Sequence, residues 1–106
     1  MREFVAVAKT SDVPDPGSKL IEVDGQMLVL IHAAGRFYAM DDLCTHDAGP
    51  LSGGIVRVSG SIACPRHGAR FDLETGAAMS MPATKATRVH EVKLDGEDVH
   101  VKLSDT

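Results

Sequence analysis

Turn-forming clusters recur about every ten residues along this chain, and nothing between them is apolar at helical spacing. Asp24-Gly25 separates Lys19–Val23 from Gln26–Ile31, and an Asp-Gly pair suits the positive φ angles of a two-residue hairpin turn. Ala34-Gly35-Arg36 leads into Phe37–Met40, and Ser59-Gly60-Ser61 lies between Ile55–Val58 and Ile62–Cys64. Glu74-Thr75-Gly76 follows Arg70–Asp72, and Asp95-Gly96-Glu97 separates Val89–Leu94 from Val99–Leu103. Phe4–Ala8 makes a first strand, and the Pro and Gly content of Ser11–Ser18 makes a loop. The last segment alternates, with Val99, Val101 and Leu103 on one face and His100 and Lys102 on the other. Such a chain predicts an all-β, antiparallel domain.

At 106 residues the sequence fits one domain, residues 1–106, with a modest core. Aromatic residues are few (Phe4, Phe37, Tyr38 and Phe71), so that core rests on Val, Leu, Ile and Met. The net charge is −4 and no block of basic residues occurs, which excludes nucleic acid and anionic membranes as expected partners. No apolar stretch approaches the roughly 20 residues a bilayer span needs. Met1–Ala6 lacks the apolar run and small-residue cleavage site of a signal peptide. The expectation is a soluble, cytoplasmic protein whose cysteines are reduced metal ligands.

Chemistry concentrates in two mixed pairs. Cys44-Thr45-His46 and Cys64-Pro65-Arg66-His67 use both cysteines and two of the five histidines, with residues 47–63 between them. Two ligand types, each supplied twice from two loops, suit a metal centre with two unlike positions. A zinc site could use the same residues. Structural zinc sites, however, usually keep cysteines together across about two to four residues, and histidines likewise. The mixed pairs favour a cluster, with a zinc-stabilised interaction module as the rival. His32, His90 and His100 lack partners at ligand spacing and read as surface or half-buried residues. Met27, Met40, Met79 and Met81 read as packing, and Asp41-Asp42 as part of a solvated loop or a partner-facing surface. No Ser-His-Asp grouping, phosphate-cradling loop or nucleotide fingerprint is present.

Cys44-Thr45-His46-Asp47-Ala48-Gly49-Pro50-Leu51, Cys64–Asp72, Thr75-Gly76 and Pro82-Ala83 resemble the Rieske ferredoxins across residues 37 to 103. The resemblance implies an antiparallel β-sandwich or barrel base with an inserted cluster-binding subdomain at about residues 41–72. It also implies one 2Fe-2S cluster, with Cys44 and Cys64 on one iron and His46 and His67 on the other. Two thiolates offset the oxidised two-iron, two-sulfide core, so the charge stays near −4 on loading and falls by one on reduction. Neutral imidazoles in place of two thiolates ease reduction, which puts Rieske centres at about −150 to +300 mV against about −400 mV for four-cysteine clusters. Respiratory members of the family carry a membrane span, two further bridging cysteines, and serine and tyrosine donors to the cluster sulfurs. Here the donor positions hold Ala69 and Phe71, which predicts a potential towards the low end.

Gly68 is expected to allow a turn that a side chain would block, leaving amides free for the sulfurs. Leu51 and the Pro82 segment are candidates to cover the cluster, or plain packing. The implied function is a monomeric one-electron carrier without catalytic residues of its own, working in aromatic hydrocarbon catabolism. It would accept electrons from a flavin-containing, NAD(P)H-dependent reductase and pass them to a terminal ring-hydroxylating dioxygenase, docking near His46 and His67. The alternative is the small subunit of an assimilatory nitrite reductase.

Overall fold

The computed structural model describes residues 3–42, 50–65, 68–79 and 86–104. Among these residues there is no α-helix, and nine strands form two antiparallel sheets. The larger sheet contains β1 (Val5–Lys9), β2 (Gly17–Val23), β3 (Gln26–Ala33), β4 (Arg36–Asp41), β8 (Val89–Asp95) and β9 (Asp98–Lys102), in the order β1-β9-β8-β4-β3-β2. Its edge strands β1 and β2 come within 8 Å of each other between Cα atoms, so the sheet curls into a barrel-like base. The smaller sheet, β5 (Ile55–Arg57), β6 (Ser61–Ala63) and β7 (Arg70–Asp72), is inserted in the chain between β4 and β8.

The turn chemistry sets the register. Asp24 and Gly25 both take positive φ, as the two central residues of a type I′ turn do, and Val23 pairs with Gln26 across it. Ala34 and Gly35 repeat that geometry between Ala33 and Arg36. An alanine at φ +51 is disfavoured, and the Asp15 carboxylate offsets the strain by accepting both turn amides, from Ala34 at 3.0 Å and Gly35 at 2.8 Å.

β3 explains how two cores coexist. Its successive side chains point to opposite faces, and Leu28 to Ile31 are all buried. Leu28 and Leu30 face inside the curled sheet, joining Ile21, Val99 and Val101. Val29 and Ile31 face outward into a second cluster with Leu51, Ile62, Cys64 and Phe71. β4 divides in the same way, with Ala39 in the first cluster and Met40 in the second. The β3–β4 wall therefore serves both cores, and the small sheet is seated on its outer face. Burying side chains of this kind stabilises by about 1.5–3 kcal/mol each. The alternation expected of the last strand holds, with Val99 and Val101 buried and His100 and Lys102 half-buried.

Candidate functional site

Of the four candidate ligands, Cys64 is described; Cys44, His46 and His67 lie outside the described residues. Cys64 follows β6 directly and is 2% exposed, within the cluster that includes Leu51, Ile62, Ala69 and Phe71. The loop that starts at Cys64 is stitched at its neck. Its N–H donates to the Ala69 carbonyl at 2.7 Å, and its own carbonyl accepts from the Gly68 N–H at 3.0 Å. Gly68 sits at φ +73 with nothing within 4 Å of where a Cβ would lie. Glycine is needed there for the backbone angle and not for space, and its amide is engaged by Cys64 instead of being left free.

The two acids just before the other Cys–His pair are both engaged, which corrects the expectation of a solvated loop. β4 ends at Asp41 and the chain bends at Asp42, and the two carboxylates meet different partners. The Asp42 Oδ1 accepts the N–H groups of Leu51 at 2.8 Å and Ser52 at 2.7 Å, and Oδ2 accepts the Ser52 hydroxyl at 3.2 Å. Asp41 turns to the base. Its Oδ1 meets His90 Nε2 at 2.8 Å, and its Oδ2 lies 3.3 Å from Arg88 Nε. That Arg88 nitrogen is buried and poorly aligned for a hydrogen bond, so the contact is one of charge. Arg88 Nη2 donates to Gln26 Oε1 at 2.7 Å.

His90 departs from the half-exposed reading altogether, since its side chain is 0% exposed. The Ser104 N–H donates to its Nδ1 at 2.9 Å, so Nδ1 carries the lone pair and Nε2 carries the proton that Asp41 accepts. One signal in the sequence could have pointed to this network: two carboxylates at a strand end, just before a ligand motif. His32 does match its half-buried reading. Its Nδ1 donates to the Val13 carbonyl at 2.9 Å and its ring stacks on Phe37.

Three further backbone bonds tie the segments that flank the candidate ligands. The Asp41 N–H donates to the Arg88 carbonyl at 2.9 Å, and the Met79 N–H to the Arg70 carbonyl at 2.7 Å. The Thr87 N–H donates to the Gly76 carbonyl at 2.8 Å. Leu51 is fully buried against Cys64's neighbours and so is at least core packing; Pro82 lies outside the described residues. Ala69 and Phe71 are both fully buried beside Cys64 and bring only carbon side chains to it.

A curled antiparallel base carrying a small sheet, in a sequence with a cysteine–histidine pair before β5 and another between β6 and β7, suits a small β-type metalloprotein. The family model of the Rieske [2Fe-2S] domain matches residues 3–102, and the chain belongs to that family. It is 37% identical over 93 residues, 88% of each chain, to the ferredoxin component of the naphthalene 1,2-dioxygenase system of Pseudomonas aeruginosa. The ferredoxin of carbazole 1,9a-dioxygenase from Nocardioides aromaticivorans IC177 matches with a TM-score of 0.88 at 29% identity, over 92% of this chain and 95% of that one. A chain of the complex of reduced oxygenase and oxidized ferredoxin in carbazole 1,9a-dioxygenase matches at 0.85 and 31% identity, over 92% and 91%.

Family membership makes the cofactor a Rieske-type 2Fe-2S cluster, and the likeness to dioxygenase ferredoxin components over most of both chains makes the chain an electron carrier. The residues fit that cofactor. The donor set offers two thiols and two imidazoles, and Cys64 stands in an apolar, water-poor setting on a stitched loop. No helix among the described residues is long and apolar enough to cross a membrane.

Proposed function

We propose that this chain is a cytoplasmic one-electron carrier between a flavin-containing, NAD(P)H-dependent reductase and the terminal oxygenase of an aromatic-ring dioxygenase system. In this reading Cys44 and Cys64 hold one iron and His46 and His67 the other, within a subdomain of about residues 41–72 of a single domain, 1–106. The bound cluster takes up and releases one electron. The chain's own residues set where and at what potential. Cys64 is held in the core by the Ala69 and Gly68 bonds, which supports its place on the inner side, away from solvent. The histidine pair would then face the docking partner. Ala69 and Phe71 supply no hydroxyl to the sulfurs, which supports a midpoint below zero, in the lower part of the Rieske range.

The observation that carries the reading is the 37% identity over 88% of both chains to a dioxygenase ferredoxin component. The match to a chain from an oxygenase–ferredoxin complex supports the oxygenase as the acceptor. The test is stopped-flow spectroscopy of the isolated chain with a reductase, NADH and a terminal oxygenase of this class. Reduction by the first and reoxidation by the second is the expected result. A chain that is inert alone and redox-active only as a fixed subunit of a larger enzyme would overturn the proposal in favour of the nitrite reductase alternative.

A further inference from the structure

We propose that the Asp42 carboxylate is a positioning group for the cluster: it clasps the two ends of the first Cys–His loop and so holds Cys44 and His46 in ligating geometry. This rests on the ligand set proposed above. The three contacts from Asp42 cross the neck of that loop, reaching residues nine and ten positions along the chain. A loop of that length opposes closure through its conformational entropy, and bonds across its neck hold it closed. The far end of the clasp is not adrift. Leu51 is fully buried in the cluster that also holds Cys64, so Asp42 is bonded to a residue packed in the same core as that thiol. The near end is equally fixed, because the Asp42 N–H donates to the Met27 carbonyl at 3.2 Å and Asp41 is tied to His90 and Arg88. The acid pair thus links the base, through His90 and Arg88, to Leu51 and Ser52 from one strand end.

Shape and charge at Asp42 can be separated. Asparagine keeps a carbonyl oxygen able to accept both amides, and its NH₂ can donate to the Ser52 hydroxyl oxygen. Alanine keeps neither. A chelator reaches the cluster when the loop opens, so the rate of bleaching of the visible spectrum under chelator reports the clasp. Amide hydrogen exchange at Leu51 and Ser52 reports it independently of the cluster.

The expected result is that Asp42→Ala bleaches about tenfold faster or more than wild type, since the acceptor of both amides is lost. The same variant should exchange the Leu51 and Ser52 amides faster, while β9 amides are unchanged. Asp42→Asn should stay within about threefold of wild type in both measurements, the acceptors being retained. An Asp42→Ala protein that holds its cluster as wild type does would overturn the proposal. So would an Asp42→Asn protein as labile as Asp42→Ala, because charge and not the clasp would then be responsible. If Asp42→Ala does not fold, Asp42→Asn decides alone: protected Leu51 and Ser52 amides support the clasp, and their loss overturns it. A wild-type chain lacking iron and sulfide would instead overturn the ligand reading, while the exchange data would still report the neck.

Discussion

Replacing His90 with phenylalanine tests the strut that joins the end of β4 to β8 and to the chain after β9. Phenylalanine keeps a flat ring of somewhat larger size, so no cavity opens and the loss is chiefly polar. The bond from Nε2 to Asp41 is 2.8 Å long and has a charged acceptor, which makes it worth about 1.5–3 kcal/mol. The Ser104 N–H also loses its 2.9 Å acceptor, worth about 0.5–1.5 kcal/mol. Ser104 is only half-buried, so water replaces part of that second bond. Asp41 keeps Arg88 and is not left as an orphaned charge. The more apolar ring returns about 1 kcal/mol on burial.

The balance is a loss of about 1–3 kcal/mol. For a chain of this size each kcal/mol moves the melting temperature by about 4–8 °C, so a fall of about 4–24 °C is expected. Thermal unfolding of the cluster-loaded protein, followed by circular dichroism at one scan rate, measures it. Adding Asp41→Asn should give less than the sum of the two single effects, because both variants act on the same bond, asparagine by removing its charge and phenylalanine by removing its donor. A His90→Phe protein melting within about 2 °C of wild type would refute the strut.

Gly76→Ala should destabilise by about 3 kcal/mol or more, because it combines a left-handed φ with a backbone collision. The added Cβ would stand 2.0 Å from the Thr87 carbonyl oxygen. Gly25→Ala, at φ +80 with nothing nearby, should cost only about 1 kcal/mol, and urea unfolding separates the two. His46→Cys should retain a cluster but lower its midpoint in a redox titration, since a thiolate replaces a neutral ligand; an unchanged midpoint would contradict the charge argument.

The Lys9–Asp98 pair joins β1 to β9. The hydrogen bond from Lys9, and then its charge, hold the Asp98 carboxyl below its ordinary range, and the same pair raises Lys9. Its support is fully present between the ordinary carboxylate and lysine ranges. It is lost as pH falls through the depressed Asp98 value, and again as pH rises through the raised Lys9 value. Both groups are exposed, so Lys9→Met should shift the urea midpoint slightly at low salt and not at all in high salt.

Local features were legible because their causes are local. Asp24-Gly25 encodes its own turn, and Val99, Val101 and Leu103 encode their own face. The Cys–His pairs carry their chemistry in residue type and spacing alone. Features that depend on distant partners were not legible. Leu28 to Ile31 read plainly as a strand, yet its service to two cores depends on the small sheet packing outside it. Ala34 tolerates its positive φ because Asp15, 19 residues away, accepts its amide. His90 reads as a strand-opening polar residue. It is buried because register places it opposite Ala39, with Asp41 and Ser104 satisfying its nitrogens. Asp41 and Asp42 read as hydrophilic for the same reason: their partners lie 49 and 9 positions away.

Metal and sulfide analysis of the purified wild-type chain, with EPR before and after reduction, tests the central claim most directly. The account predicts a red-brown protein with two irons and two acid-labile sulfides per chain, silent when oxidised and giving a rhombic signal after one-electron reduction. A colourless protein holding a single zinc would contradict it.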